Sequence, residues 1–286
     1  MGAQTVLITG AARGQGRSHA LAFARAGKNV ALLDVAAPVT SLPYPTGTQD
    51  DLDETAALVQ KAGVRALPLR CDVRDDGQVA DAVETVWSAF GSIDVAVINQ
   101  GVWSTGRFWE ISEAQWLTTY DVNVHGSWRV MKALAPRLIE QRGGSVVLIG
   151  STSATVPTSN YAHYASSKAA VVQLAKIFAL ELGGYGVRVN SVSPGLVDTP
   201  MIHFQDVYDR LRPGASKEDF LAAGYATTAL AGRGHLAAES VTAAVLWLAS
   251  AGAGDVTGLD LVVDAGNRLL PRRNPNPAMP SPEAGS

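Results

Sequence analysis

Seven short runs of apolar and β-branched residues, separated by longer segments that suit helices, constrain the fold of this chain more than any other feature. Strands that are apolar almost throughout belong to sheets that are covered on both faces, and such sheets are parallel and joined by right-handed crossovers. The pattern therefore predicts an α/β fold with a doubly wound, seven-stranded parallel sheet and helices on both faces. The predicted strands cover residues 5–9, 29–34, 64–70, 93–99, 145–150, 187–193 and 259–264.

Three segments depart from this alternation. Residues 35–50 contain three prolines and no hydrophobic period, which predicts an insertion after the second strand. Residues 199–232 form a long segment after the sixth strand and are predicted to be a substrate lid. Residues 271–286 contain five prolines among polar residues and are predicted to be a disordered tail. Residues 1–270, which precede this tail, are predicted to form one domain.

Composition excludes several classes of protein. The chain has 286 residues, 47% of them hydrophobic, which is enough for a buried core. A net charge of -3 without a basic cluster gives no indication of nucleic-acid binding. The longest apolar runs fall short of the roughly 20 residues that span a bilayer. Cys71 is the only cysteine and no signal-like segment follows Met1, so we expect a soluble, cytoplasmic protein.

A glycine-rich turn, "TGAARGQG", joins the first predicted strand to a helix-like segment and holds Gly10, Gly14 and Gly16. Glycines at this place let the backbone approach a pyrophosphate, whose charge is then met by the helix N-terminus. The alternative is a turn that only lets a strand and a helix pack closely. The position of this glycine-rich turn, between the first strand and a helix, favours nucleotide binding.

Asp34 ends the second predicted strand, where a carboxylate accepts hydrogen bonds from the adenosine ribose and repels a 2'-phosphate. This favours NAD over NADP. Arg13, directly before Gly14, is placed either to reach a 2'-phosphate or to pair with Asp34. We give the carboxylate more weight because no second basic residue follows it.

Tyr164 and Lys168 are four residues apart in a segment with helical character, so they share one helix face. A phenol with a pKa of about 10 is a poor proton acceptor at neutral pH, and a nearby cation favours the phenolate. We therefore expect Lys168, helped by the positive nicotinamide of an oxidised cofactor, to lower the pKa of Tyr164. Ser151 ends the fifth predicted strand, where its hydroxyl could hold a substrate oxygen. The alternatives are an ordinary surface pair and a plain loop serine.

Together these motifs resemble the short-chain dehydrogenase/reductase family over residues 4 to about 268, which implies a Rossmann-type fold. The resemblance implies that Asn123, in "DVNVHG", is a catalytic residue together with Ser151, Tyr164 and Lys168. Its implied role is in a water relay that connects Lys168 to solvent. "VINQG" departs from the family's Asn-Asn-Ala-Gly motif at Ile98 and Gln100, and Gly150 stands where the family often has serine. The implied cofactor-binding residues are Gly10, Arg13, Gly14, Gln15, Gly16, Asp34, Asp72, Val73, Asn99, Gly101, Tyr164, Lys168, Pro194, Gly195, Val197 and Thr199.

"GAARGQGRSHA" and the stretch "YPTGTQDDLDETAALV" are similar to the mycofactocin-coupled subfamily, which includes carveol dehydrogenase-like enzymes. This resemblance implies NAD held tightly beneath the insertion, with a redox peptide, mycofactocin, as electron acceptor. The alternative is a variable surface loop without a role in cofactor retention. Family resemblance also implies a homotetramer whose contacts use the fourth and fifth crossover helices.

The resulting hypothesis is an NAD-dependent alcohol dehydrogenase in which Ser151 orients a secondary alcohol and Tyr164 takes its proton. Trp103 and Trp109, near the end of the fourth strand, are expected to form a substrate wall with Phe108, which favours an apolar or cyclic, terpenoid-like substrate. The histidines show no metal-ligand spacing, so no metal is implied. His163, adjacent to Tyr164, is expected to face away, since neighbouring helical residues point about 100° apart.

Two other functions stay open. One is a 3-oxoacyl or sugar-alcohol reductase on the same scaffold, which would need NADPH or a cationic site for a carrier phosphate. The other is a nucleotide-sensing protein that keeps the fold without turnover. The intact set of Asn123, Ser151, Tyr164 and Lys168 favours an enzyme.

Overall fold

Residues 3–270 are described by the computed structural model, and they contain all seven predicted strands. The central strands are apolar because both of their faces are covered: Val6, Leu7 and Ile8, for example, have no exposed surface. The strands are β1 (Thr5–Thr9), β2 (Asn29–Asp34), β3 (Ala66–Arg70), β4 (Val95–Ile98), β5 (Gly144–Ile149), β6 (Val187–Pro194) and β7 (Asp260–Val263).

The strands form one parallel sheet in the order β3-β2-β1-β4-β5-β6-β7, which confirms the predicted doubly wound fold. The strand order reverses between β1 and β4. In open parallel sheets a crevice forms at this point, beyond the carboxyl ends of the strands. The loops that follow β1, β2, β4, β5 and β6 therefore converge on one place.

Nine α-helices accompany the sheet within the described residues. They are α1 (Gly14–Arg25), α2 (Gln49–Lys61), α3 (Asp76–Phe90), α4 (Glu113–Tyr120), α5 (Gly126–Gln141), α6 (Ala162–Leu182), α7 (Gln205–Asp209), α8 (Lys217–Gly224) and α9 (Ala238–Ala249). One apolar core lies under α1, α2 and α9, and a second lies under α3, α5 and α6. Helices thus cover both faces of the sheet.

The predicted insertion and lid have different structures. Residues 35–48 are irregular, and α2 begins at Gln49 because Thr48 and Asp51 form a capping box. The lid contains the short helices α7 and α8, and Ser216 and Asp219 form a second capping box at α8. A third apolar cluster, which includes Tyr44 of the insertion, packs against the lid.

Across residues 3–270, no helix combines the length and apolar character needed to cross a bilayer. The predicted tail, residues 271–286, lies outside the described residues.

Candidate active site

Two adjoining cavities lie at the carboxyl ends of the central strands. The first cavity is lined by the glycine-rich turn, the end of β2 and residues of the insertion. The second cavity is lined by the ends of β5 and β6, the start of α6 and the beginning of the lid. Within the described chain, the residues that line both are Gln15, Asn99, Gly101, Thr199 and Met201.

The glycines of the first cavity are required by close backbone approach. Gly10 has a φ of 63°, and an added Cβ would lie 2.9 Å from the Cα of Gln100. A Cβ on Gly16 would overlap the carbonyl oxygen of Gly10. Helix α1 begins at Gly14, and no side chain caps its N-terminus. Its first turn therefore presents free N–H groups, which suit an anion such as a diphosphate.

Asp34 lines the first cavity with its carboxylate held by the backbone. It accepts hydrogen bonds from the N–H groups of Ala12 and Ala36, both at 3.0 Å. Arg13 does not pair with Asp34: its guanidinium donates a hydrogen bond to the carbonyl oxygen of Pro45 in the insertion. Of the two roles open to Arg13 on sequence grounds, pairing with Asp34 was wrong, and the side chain holds the insertion instead.

The insertion forms a wall of the first cavity rather than a peripheral loop. Val39, Tyr44, Thr46 and Gly47 line the cavity. Gly47 packs so closely that an added Cβ would lie 2.9 Å from the Cβ of Ala12 and 3.4 Å from a carboxylate oxygen of Asp34. Tyr44 is 5% exposed, and its hydroxyl accepts a hydrogen bond from the backbone N–H of Trp103 at 3.1 Å. The insertion is thereby tied to the loop that follows β4.

Asp72 and Val73 line the far side of the first cavity. Burial by itself would raise the pKa of Asp72, but hydrogen bonds and charge from Arg74 outweigh burial and lower the pKa. The ion pair joins Nη2 of Arg74 to Oδ2 of Asp72 at 2.6 Å. Asp72 therefore carries a negative charge at neutral pH.

The second cavity brings together three of the four predicted catalytic residues: Ser151, Tyr164 and Lys168. The Nζ atom of Lys168 lies 5.9 Å from the centre of the Tyr164 ring and donates a hydrogen bond to the carbonyl oxygen of Ile149 at 2.7 Å. Tyr164 and Lys168 thus share one face of α6, as their spacing predicted.

Asn123 lies directly behind this cavity, in a π-helical turn, Asp121–His125, between α4 and α5. It is fully buried, and its side-chain amide bonds both backbone polar groups of Val102 and, at 2.9 Å, the hydroxyl of Ser167. A Cβ on Gly101 would lie 3.3 Å from Nζ of Lys168 and 3.5 Å from Oδ1 of Asn123. Lys168 and Asn123 therefore both lie beside Gly101, where a larger side chain would crowd them.

Burial controls the protonation of the catalytic pair. Burial raises the pKa of Tyr164, and contact with the Ser151 hydroxyl opposes that rise. Burial lowers the pKa of Lys168 to about 8. In the protein without NAD, the low polarity of the cavity disfavours both charged forms, so the predicted lowering of the Tyr164 pKa depends on the added positive charge of the oxidised nicotinamide. A further positive charge in the cavity is needed to favour the phenolate.

A family model described as enoyl-(acyl carrier protein) reductase, which represents short-chain dehydrogenases and reductases, matches residues 10–268. The chain belongs to the short-chain dehydrogenase/reductase family. It is 38% identical over 271 residues to (-)-trans-carveol dehydrogenase of Rhodococcus erythropolis, covering 93% of this chain and 98% of that protein. An uncharacterized NAD-dependent oxidoreductase of Mycobacterium tuberculosis is 39% identical over 269 residues, with 92% of this chain and 95% of that protein covered.

The fold is also similar to that of solved family members. Carveol dehydrogenase from Mycobacterium avium, in complex with NAD, superimposes with a TM-score of 0.90 at 34% identity, covering 93% of this chain and 98% of that chain. The family resemblance and its carveol dehydrogenase-like relatives, both predicted from the sequence motifs, are thereby confirmed.

The departures from the family motifs have structural reasons. Gly150 cannot be serine without rearrangement, since its Cβ would lie 2.6 Å from Oγ of Ser193 and 2.8 Å from Cγ2 of Val172. Ile98 is buried in the core. Gln100 joins a chain of buried hydrogen bonds, in which it accepts from the Thr9 hydroxyl and donates to Oγ of Ser127 at 3.2 Å.

The implied cofactor-binding residues that follow β6 also line the second cavity, namely Pro194, Gly195, Val197 and Thr199. Asn99 lines both cavities, and its amide donates hydrogen bonds to the carbonyl oxygens of Thr9 and Gly10, each at 3.1 Å. Every predicted cofactor-binding residue except Gly16 thus lines one of the two adjoining cavities, while Gly16 packs against the carbonyl oxygen of Gly10.

One predicted substrate residue lies elsewhere. Trp109 is 65% exposed, packs edge-on against Phe108, which is 68% exposed, and does not line the second cavity. The tight turn Arg107–Glu110 that carries both rings lies at the surface, so its aromatic character did not indicate a pocket wall. Trp103 is correctly placed: it is 5% exposed and lines the second cavity.

Sequence reasoning missed other cavity residues. Tyr161 lines the second cavity, and its ring centre lies 5.1 Å from that of Trp103 and 6.4 Å from that of Tyr164. Its position one helical turn before Tyr164 was a usable signal. Met201, Ile202 and Thr227 also line this cavity and lie within the predicted lid. The other lining residues that sequence reasoning did not assign to the site are Ile149, Gly150, Thr152, Ser153, Thr158, Leu196 and Asn267.

His163, the residue before Tyr164, is fully buried. Its Nε2 atom lies 2.8 Å from the Ser104 hydroxyl, and burial lowers its pKa. It does not line either cavity.

Between residues 3 and 270, the histidines, cysteine and acidic residues form no group of three suited to a metal ion.

Proposed function

We propose that this chain is an NAD-dependent oxidoreductase that interconverts a secondary alcohol and a ketone. The observation that carries the proposal is the convergence of Ser151, Tyr164 and Lys168 on one cavity, which opens into the cavity of the glycine-rich turn. The relatives named as NAD-dependent oxidoreductase and as carveol dehydrogenase agree with this activity.

The first cavity fits NAD better than NADP. The free N–H groups of α1 suit the diphosphate, and the Asp34 carboxylate suits adenosine ribose hydroxyls. Gly47 lies against Asp34. Of the two arginines that line this cavity, Arg13 is engaged with the insertion and Arg74 with Asp72, so neither is free to meet a 2'-phosphate. The same features disfavour a reductase that depends on NADPH.

Bound NAD would supply the hydride acceptor. In alcohol oxidation, the Ser151 hydroxyl holds the substrate oxygen and Tyr164 accepts its proton. Lys168, protonated below its pKa of about 8, adds positive charge beside the Tyr164 ring. Asn123 holds the backbone of Val102 behind Lys168, and we assign it to the proton path toward solvent.

The second cavity favours an apolar substrate. Its walls include Trp103, Tyr161, Met201 and Ile202, while the hydroxyls of Ser151 and Tyr164 lie together on one side. A cyclic secondary alcohol of terpenoid size suits this arrangement, because apolar walls bind the ring while two hydroxyls hold its oxygen. The relative named for (-)-trans-carveol supports the same substrate class.

We further propose that the insertion retains NAD and that a redox peptide of the mycofactocin type accepts the electrons. The support is the anchoring of the insertion on three sides: Arg13 holds Pro45, the Tyr44 hydroxyl binds Trp103, and the Tyr44 ring lies 5.2 Å from that of Phe204 in the lid. Release of a nucleotide from the first cavity requires at least some of these contacts to break.

A homotetramer in the cytoplasm completes the proposal. Its support is the exposed apolar surface of the fourth and fifth crossover helices, with Trp116 and Leu117 on α4, Trp128 on α5 and Leu180 on α6. The single, buried cysteine excludes an internal disulfide and agrees with a reducing compartment.

The test follows nicotinamide absorbance when purified protein meets a panel of secondary terpenoid alcohols, before and after free NAD is added. A single burst that matches the protein concentration, without turnover on adding NAD, would support retained NAD and an external acceptor. Steady turnover only after NAD addition would support the dehydrogenase and overturn retention. No reduction of bound or added NAD with any alcohol would contradict the proposed activity.

A further inference from the structure

Gln15 is a polar side chain at the junction of the two cavities. It lies in the first turn of α1 and lines both the first and the second cavity. Its side-chain oxygen, Oε1, is buried and has no hydrogen-bond partner. Few buried polar side-chain atoms in native proteins lack a partner, because leaving an acceptor buried and unsatisfied is unfavourable.

The surrounding described residues do not supply the missing donor. The Asn99 amide, at the same junction, is directed to the carbonyl oxygens of Thr9 and Gly10. Thr199 lies close to the start of α1, since a Cβ on Gly14 would be 3.5 Å from the Cβ of Thr199. No hydrogen bond joins either residue to Gln15. The partner of Oε1 is therefore to be sought in the ligand.

A dinucleotide offers few donors at this point. Its diphosphate only accepts hydrogen bonds from the N–H groups of α1. The adenosine ribose is expected at Asp34, and the second ribose near Tyr164 and Lys168. Where the two cavities meet, the remaining donor of NAD is the amino group of the nicotinamide carboxamide.

We propose that Oε1 of Gln15 accepts a hydrogen bond from the carboxamide amino group of NAD and thereby fixes the rotation of the nicotinamide ring; this rests on the proposed use of NAD. Gln15 is a positioning residue in this role. It selects a ring that carries a donor and holds one ring face toward the cavity of Tyr164.

The test measures binding, not turnover. Gln15→Met keeps an unbranched side chain of similar length and removes the acceptor. After charcoal treatment to remove nucleotide, calorimetry would compare NAD, 3-acetylpyridine adenine dinucleotide, in which a methyl group replaces the amino group, and ADP-ribose, which lacks the ring. We expect Gln15→Met to weaken NAD binding about tenfold and to leave the affinities for the other two ligands within twofold of wild type.

Gln60→Met is the matched control, because Gln60 is an exposed glutamine on α2 and lines neither cavity. It should leave all three affinities unchanged. An equal loss for all three ligands in Gln15→Met would assign the side chain to the diphosphate or the turn and overturn the proposal. Unchanged NAD affinity would overturn it as well. Wild-type protein that binds neither NAD nor ADP-ribose would contradict the proposed function itself.

Discussion

The two cavities recognise their ligands by different means. In the first cavity, backbone groups dominate: glycines that admit no Cβ, the free N–H groups of α1, and a carboxylate held by two backbone N–H groups. In the second cavity, side chains from the β4 loop, the β5 loop, α6 and the lid form the walls. A backbone-built site depends on local sequence, whereas a side-chain-built site depends on how distant segments meet.

Removing the Tyr164 hydroxyl should have the largest effect. We expect Tyr164→Phe to lower kcat by about 10³-fold, since general acid–base catalysis contributes on the order of 10²–10⁴, while NAD binding is kept. Tyr161→Phe is the matched control, because Tyr161 lines the same cavity one helical turn earlier. Its kcat should stay within fivefold of wild type. Full activity of Tyr164→Phe would remove the assignment of Tyr164 as acid/base.

Loss of the Ser151 hydroxyl should combine a rate effect with a pH effect. Ser151→Ala should lower kcat about 10²-fold, the usual cost of one lost donor to a reacting oxygen. Contact with Ser151 lowers the pKa of Tyr164, so its removal lets this pKa rise. The pH profile of alcohol oxidation should therefore shift to higher pH. A profile that moves to lower pH, or stays in place, would contradict the contact.

In the first cavity, a single added methyl group should matter. Gly47→Ala places a Cβ 2.9 Å from Ala12 and beside Asp34, so the insertion has to move. We expect NAD affinity to fall about tenfold, measured by calorimetry. Gly183→Ala is the control, because a Cβ there meets open space. Equal affinities for both variants would show that the insertion tolerates displacement and takes no part in recognition.

Two tryptophans differ in position: Trp103 lines the second cavity, whereas Trp109 lies at the surface. Trp103→Leu should raise the KM for an apolar alcohol about fivefold, because the residue is buried against Tyr161 and lines the cavity. Trp109→Leu should leave KM within twofold of wild type. A larger effect at Trp109 would restore the original interpretation of this residue as a substrate wall.

The smallest expected effect concerns Tyr44, which links the two cavities. Tyr44→Phe removes the hydrogen bond to the Trp103 backbone and keeps the ring against Phe204. We expect nucleotide dissociation to accelerate about threefold, in line with one neutral hydrogen bond. Fluorescence of bound NADH during a chase with excess NAD would measure this rate. An unchanged rate would mean that the hydrogen bond from Trp103 to Tyr44 does not help to retain the nucleotide.

The contrast between the cavities explains what the sequence could predict. The seven strands, the glycine-rich turn and the Tyr164–Lys168 pair have local signatures, and the structure contains them where they were predicted. Asn267 has none, since it reaches the second cavity only through tertiary packing. Trp109 was misplaced for the same reason: composition does not distinguish a surface turn from a wall.

The protonation of the catalytic pair was also beyond local reasoning. Spacing predicted that Lys168 and Tyr164 would meet, and their Nζ-to-ring distance of 5.9 Å agrees. Spacing did not predict that burial would raise the pKa of Tyr164 and lower the pKa of Lys168. Desolvation depends on every segment that closes the cavity, and no motif encodes it.

The buried chain of hydrogen bonds through Gln100 limits how this sequence can change over generations. Gln100 joins the Thr9 hydroxyl at the end of β1 to Ser127, whose hydroxyl donates to the backbone oxygen of Asn123 at 2.6 Å. An apolar residue at position 100 would leave Thr9 and Ser127 with fewer partners in a place closed to water. A descendant lineage can therefore replace Gln100 readily only after Thr9 or Ser127 has changed, so the order of mutations matters.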